Sequence, residues 1–187
     1  MLNFRRMRES DLHKVLDWRV KPDIAQFMLT EVAYDMERQR RWFERIDASP
    51  NDEYWIIESD RIPVGVLSLS EIDRTNRHAT WGLYLGEKMN TPVGGMIPVY
   101  FYNYVFARAD LNLHKLHGKV LENNTSMLRM HETCGYRQVG VHKDHVLRDG
   151  KFMDVYVVEL LRDTWLAQAR RFARHTAEFE TREAVGN

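Results

Sequence analysis

The chain has 187 residues, 44% hydrophobic and 29% charged, with 27 basic residues balanced by 27 acidic ones; this suits one domain with its own core and leaves no net field favouring nucleic acid or an anionic membrane. Its lone cysteine, Cys134, excludes an internal disulfide and argues against a metal cluster. The first residues lack the apolar core of a signal peptide and no apolar run reaches the roughly 20 residues that span a bilayer, so a cytoplasmic protein without membrane or nucleic-acid partners is expected.

Residues 2–7 read as a short strand. Ser10 is placed to cap a helix, with Asp11 in its first turn and Leu12, Val15, Leu16 and Arg19 at helical spacing. Pro22 ends it, because the residue before proline is pushed out of the α region. A short helix is expected over 23–29. Asp35 is placed to cap the next, whose Gln39, Trp42, Phe43 and Ile46 share one face. After the turn residues Ser49-Pro50-Asn51-Asp52, residues 53–59 and 62–72 read as a hairpin around Asp60-Arg61. Residues 78–85 form a third meander strand beyond the polar loop 73–77. The Gly/Pro-rich stretch 86–95 reads as a loop, 96–109 as an aromatic helix, 113–121 as a strand and 125–133 as a helix. Residues 136–147 and 152–161 flank Asp149-Gly150, a hairpin signal because type I′ turns need positive φ. A charged helix over 164–183 closes the chain. The order is strand, helices, three antiparallel strands, helix, strand, helix, hairpin: an α+β arrangement without repeats or a linker.

The stretch 119–136 reads Lys-Val-Leu-Glu-Asn-Asn-Thr-Ser-Met-Leu-Arg-Met-His-Glu-Thr-Cys-Gly-Tyr. Strand, Asn, short helix and Gly-aromatic closure together resemble the end of the GNAT acyl-CoA N-acyltransferases. The resemblance covers roughly residues 2–161 and implies that fold: three layers, with a mixed, mainly antiparallel central sheet and flanking helices. Residues 1–161 would be the acetyltransferase domain and 162–187 a C-terminal helical extension. Acetyl-CoA is implied as co-substrate, with no metal. Asn124 takes the position whose side chain meets the pantetheine amide, although it also suits a plain helix N-cap. His131 stands where the family places a Tyr facing the acyl thioester, which suggests the general acid for the departing thiolate. An imidazole with an ordinary pKa of about 6.5 does that work more readily than a phenol near about 10. A satisfied core histidine is the other reading.

The family cradles the pyrophosphate with Gln/Arg-x-x-Gly-x-Gly/Ala after the third meander strand. Here Met89, Pro92 and Gly94 fill those places, and one of the three agrees. Gly94-Gly95 before a helix still allows close backbone approach, so the cradle is placed on Val93, Gly94, Gly95, Met96 and Ile97. The backbone of Leu83, Tyr84 and Leu85 is expected to pair with the pantetheine arm. A coenzyme-A-binding protein without activity is another reading of the same divergence. Cys134 lacks a basic partner at readable spacing and is read as packing.

For the proton of the amine, Glu71, Asp73 and His78 lie on or beside the meander strands, and a water chain ending at Glu71 or His78 is the favoured route. A carboxylate of ordinary pKa is too weak a base for an alkylammonium unless burial raises it. The acceptor is read from Trp18-Arg19-x-x-Pro22-Asp23-Ile24-x-Gln26-Phe27-Met28 and from Tyr54-Trp55 leading into Pro63-Val64-Gly65-Val66. Both resemble the sugar-nucleotide amine acetyltransferases of the pseudaminic acid pathway, which acetylate a 4-amino group. Trp18, Arg19, Phe27 and Tyr54 are then the substrate-binding set, with rings to stack on uridine or sugar and a planar guanidinium for a diphosphate. Ribosomal-protein N-terminal acetyltransferases share the Trp-x-x-x-Pro opening and a similar tail, and are the alternative. A small-molecule amine acceptor is the expected partner, and the chain is read as able to form a homodimer.

Overall fold

Strand β2 (Glu53–Ser59) alternates so that Trp55 and Ile57 enter one core while Tyr54 and Ile56 enter another. Strand β3 (Ile62–Asp73) repeats the division, with Leu67 and Leu69 against Val66. A sheet apolar on both faces needs a layer on each side. Helices α1 (Leu12–Arg19), α2 (Pro22–Ala25) and α3 (Met36–Ala48) supply one, and α4 (Thr91–Ala107), α5 (Thr125–Thr133) and α6 (Arg162–Gln168) the other. The computed structural model describes residues 1–89 and 91–182. No helix among them is long and apolar enough to cross a membrane.

The seven strands run in the order β1 (Leu2–Arg6), β2, β3, β4 (His78–Leu85), β5 (Lys115–Leu121), β7 (Lys151–Leu161), β6 (Arg137–Arg148). All neighbours are antiparallel except β4 and β5, which are parallel because α4 crosses over between them. Those two pair through three residues each, His78 to Thr80 against Lys115 to His117. Beyond that point they diverge and leave a wedge-shaped gap in the sheet.

Several local expectations hold. The Asp35 carboxylate accepts the Arg38 N–H at 2.9 Å, and Asp149 and Gly150 have φ of 50° and 75° at the β6–β7 turn. Others need correction. Ser10 does not cap α1: a 3₁₀ turn, Glu9–Asp11, precedes it, and the Asp11 carboxylate accepts both the Arg8 N–H and a two-pronged Arg5 guanidinium. The helix expected over 23–29 stops at Ala25. The aromatic helix starts at Thr91 rather than 96, so Gly94 and Gly95 lie within it.

The largest departure is at the C-terminus. The helix expected over 164–183 ends at Gln168, followed by one 3₁₀ turn, Ala169–Phe172. The chain then doubles back along the outer edge of β1. Phe4 donates its N–H to Glu178 O at 3.2 Å and accepts the Glu180 N–H at 2.8 Å. The Phe179 ring stacks between Phe4 at 4.1 Å and Tyr104 at 3.9 Å, and the Trp55 indole donates to Glu180 O at 2.9 Å. A sheet edge is thereby covered by the chain's own tail. Residues 183–187, the remainder of the expected extension, lie outside the described residues.

Candidate active site

From Trp81 onward the side of β4 that faced β5 has no strand partner among the described residues, which leaves a row of backbone donors and acceptors along 81–85. This is the edge a pantetheine amide chain can extend. Beyond the open end of β4 the chain enters α4 at Thr91. Gly94 packs there, its missing Cβ leaving room for a Leu85 methyl that would otherwise sit 3.2 Å away. A helix offers free N–H groups from its first turn alone. Of the expected cradle residues, Val93 stands in the first turn, whereas Gly95, Met96 and Ile97 lie deeper in the helix and the Ile97 side chain is in the core.

His131 lies on the α4 side of the gap, 5% exposed, stacked on Tyr136 at 4.3 Å and set edgewise to Trp81 at 5.8 Å. Tyr136 is fixed by its hydroxyl, which accepts the Trp81 indole N–H at 2.7 Å. Among the described residues neither ring nitrogen of His131 has a hydrogen-bond partner. A buried polar group left this way is expensive unless a ligand satisfies it, and a thioester in the gap would do so. Burial pushes the imidazole down to about 4, so near neutral pH the ring is uncharged. Burial thus favours the neutral ring over the imidazolium that a general acid needs, and the neutral ring can still offer an N–H hydrogen bond.

Asn124 caps α5, its side-chain oxygen accepting the Met127 N–H at 3.2 Å, and the amide nitrogen remains to meet a carbonyl. Burial pushes the Cys134 thiol up to about 11, and its sulfur lies 3.6 Å from that of Met130. This is an inert, packed cysteine.

On the opposite face the substrate-binding set separates. Trp18 is 1% exposed and lies flat on Gly86, where a Cβ would sit 2.0 Å from the ring. Its indole donates to Glu87 at 2.7 Å. The ring is not available for stacking on a nucleotide, which corrects that assignment: Trp18 fastens α1 to the end of β4. Tyr54 is likewise held within the wall, edge-on to Trp42 at 5.3 Å. Arg19 donates to Thr30 O at 2.7 Å, and its other terminal nitrogen is buried without a partner among the described residues. Burial chiefly lowers its pKa, opposed by Tyr84, which shares its surroundings.

The segment 25–31 crosses the gap. Arg148, from the β6–β7 hairpin, donates to Ala25 O and Gln26 O at 3.0 Å and to Met28 O at 2.7 Å, and Asn123 at the end of β5 donates to Gln26 O at 3.1 Å. Phe27 and Tyr34, 36% and 55% exposed, project from this roof and its continuation.

At the closed end of the gap lie the candidate proton acceptors. Glu71 sits exposed in a bulge of β3 with φ of 53°. His78 Nε2 is 3.8 Å from Asp73, whose carboxyl is held below its usual range chiefly by the Asn76 N–H. Beside them stands a residue that sequence reasoning missed, His117, its ring 5.2 Å from that of His78. Its one signal was a polar residue in the alternation of 115–120. The proximity to His78 depends on a parallel register made across α4, which no local pattern reveals.

Residues 1–137 match the family described as Acetyltransferase (GNAT) domain. Acetyltransferase PseH of Campylobacter jejuni subsp. jejuni serotype O:23/36 (strain 81-176) is 25% identical over 130 residues, 70% of this chain and 79% of that protein. The uncharacterized N-acetyltransferase p20 of Bacillus licheniformis is 23% identical over 168 residues, 86% of this chain and 93% of its own. Among solved structures, spermidine N-acetyltransferase from Vibrio cholerae in complex with CoA and spermine superposes with a TM-score of 0.78 at 19% identity, covering 88% of this chain and 98% of that one. A family match over most of the chain, joined to a split parallel pair beside a helix N-terminus, makes this protein a member of the GNAT family of acetyl-CoA-dependent N-acetyltransferases.

Proposed function

We propose that the acetyl acceptor is a nucleotide-linked amino sugar, acetylated on its 4-amino group. The observation that carries this reading is the roof 25–31, held across the gap by Arg148 while Arg19 leaves one buried guanidinium nitrogen unpartnered beneath it. Arg148 is taken up by the roof carbonyls and by Glu31 at 3.3 Å, so the spare nitrogen of Arg19 is the donor that suits an acceptor bringing phosphate oxygens together with its amine. With Trp18 buried, the exposed rings Phe27 and Tyr34 take over the stacking role. The Trp18-Arg19-x-x-Pro22 opening and the similarity to an acetyltransferase called PseH support the same class of acceptor.

Spermidine is the second reading, since it is the acceptor of the structural neighbour, and Glu71, Asp73 and Glu159 are carboxylates near the closed end of the gap. Glu159, however, is engaged by Arg137 and by Lys115 at 3.1 Å. Burial alone would raise its carboxyl, but those cations hold it below the usual range.

The test is release of free coenzyme A from acetyl-CoA with a UDP-linked 4-amino sugar, spermidine, and peptides with free N-termini. The sugar nucleotide should show the highest kcat/KM. Arg19→Gln should raise its KM about tenfold or more, consistent with losing a charge-assisted hydrogen bond of about 1.5–3 kcal/mol, while the KM for acetyl-CoA stays put. Higher kcat/KM with spermidine would overturn the assignment.

A further inference from the structure

Thr80 and His117 are register partners and the last paired residues of β4 and β5, so His117 marks the closed end of the gap. Leu116 and Val120 on either side enter the core beneath α4. The two-residue period therefore turns the His117 ring to the other face, the one roofed by 25–31. His131 meets the same gap from the α4 side. A thioester in the gap is thus flanked by one imidazole on each face, and only the acceptor-side ring is partly open to solvent.

We propose that His117 is a catalytic residue, the proton acceptor for the incoming amine, with His78 as its positioning residue. The two rings pack edge to face at 5.2 Å; His78 Nδ1 is buried without a partner among the described residues, and its Nε2 lies 3.8 Å from the Asp73 carboxylate. The ionisable groups around His117 come from every neighbouring strand: His78 from β4, Lys115 from β5, Glu71 from β3 and Glu159 from β7. Burial, then His78 and Lys115, lower its pKa, while Glu71 and Glu159 oppose them. The net lowering keeps the ring neutral at pH 7, the form that accepts a proton.

An amine arrives as an ammonium and passes one proton to a His117 ring nitrogen. The freed lone pair forms the C–N bond at the thioester carbon, and the C–S bond breaks with its electrons on sulfur. The thiolate takes the second N–H proton, leaving amide and free thiol, and His117 returns its proton to solvent. One proton is released per turnover. The inference rests on acetyl transfer to an amine and not on which amine is used.

His117→Gln and His117→Ala would be assayed by coenzyme A release over pH 5.5–9.5, with whichever of a UDP-linked 4-amino sugar and spermidine the native enzyme turns over faster. Acetyl-CoA calorimetry serves as the folding and binding control. Both variants should bind acetyl-CoA normally and lose about 100-fold in kcat/KM at pH 7, the lower range for a general base. The deficit should shrink as pH approaches the pKa of the acceptor, and added imidazole should restore part of the activity of His117→Ala. His78→Ala should lose less and shift the acidic limb of the pH profile. A His117→Gln enzyme within threefold of native at pH 7, or a deficit that is constant across pH and indifferent to imidazole, would overturn the assignment.

Discussion

The two faces of one sheet carry opposite chemistry here. Under α4 the sheet is covered by Trp81, Phe101, Tyr102, Tyr136 and Trp165, rings in edge and tilted contact at 5.1–6.0 Å. Across the sheet the gap meets Arg19, Arg148, Tyr84, His78, His117 and Asp73. The contrast explains why two histidines a few ångströms from one gap are suited to different tasks. In the aromatic wall nothing offsets desolvation, so His131 is locked neutral. On the charged side, Glu71 and Glu159 offset part of the desolvation that lowers the His117 pKa. We therefore assign the thioester to the dry face and proton transfer to the wet face.

The sharpest way to break that comparison is to truncate one ring on each face. Phe101 is fully buried, and Phe101→Ala should lower unfolding free energy by about 3–5 kcal/mol through lost burial and the cavity left behind. Phe27 is 36% exposed on the roof, and Phe27→Ala should stay within about 1 kcal/mol while raising KM for the acceptor. Denaturant melts of both variants, with kinetics per folded molecule, make the check. Comparable destabilisation by the two would mean that the roof is core rather than binding surface.

A smaller effect concerns His131 and has a definite sign. The unfolded imidazole protonates near about 6.5, whereas burial holds the folded one at about 4. Between those values the unfolded chain binds more protons, so stability falls as pH is lowered through that window by up to about 3 kcal/mol. Above about 6.5 this group adds no pH dependence. His131→Phe should flatten that part of the stability profile. Its effect on kcat should be that of one lost hydrogen bond, about 0.5–1.5 kcal/mol, and not the 10²–10⁴-fold of general acid catalysis. A loss of the larger size with an unchanged profile would show that His131 is protonated in the working enzyme and that the wall is wetter than the structure indicates.

Where hydrophobic period and turn chemistry agree with tertiary packing, the elements could be read residue for residue: 53–59, 78–85 and 125–133 have the expected bounds. The Asn124, His131, Gly135-Tyr136 spacing carried the family, because it records a strand–helix junction whose parts are adjacent in sequence. The C-terminus misled for a physical reason. Its charged composition reads as a surface helix, yet Trp165, Phe172 and Phe179 are each taken up by a different partner: Tyr102, Trp165 and the Phe4–Tyr104 pair. Burial overrode propensity. Trp18 misled because a tryptophan beside an arginine looks like a binding pair, and nothing local shows that Gly86, far along the chain, clears a space for it. His117 could not be found because its neighbours come from β3, β4 and β7.

The smallest expected effect is on the dry face, at Asn124, where one side chain is asked to do two jobs. Its oxygen caps α5 through Met127, and we propose that its nitrogen serves the pantetheine arm. Asn124→Ala removes both, so a loss of about 1 kcal/mol in stability should accompany a rise in KM for acetyl-CoA. That variant alone cannot apportion the roles. Asn124→Asp can, because aspartate caps a helix as well as asparagine does but offers no N–H donor. It should melt near the native temperature and still bind acetyl-CoA about two- to tenfold more weakly, the worth of a hydrogen bond of about 0.5–1.5 kcal/mol. Calorimetry with acetyl-CoA and a thermal melt of the same sample decide it. Native affinity in Asn124→Asp would reduce the residue to a cap, and the donor contact would then have to come from the backbone edge of β4 and the orphaned His131 ring alone.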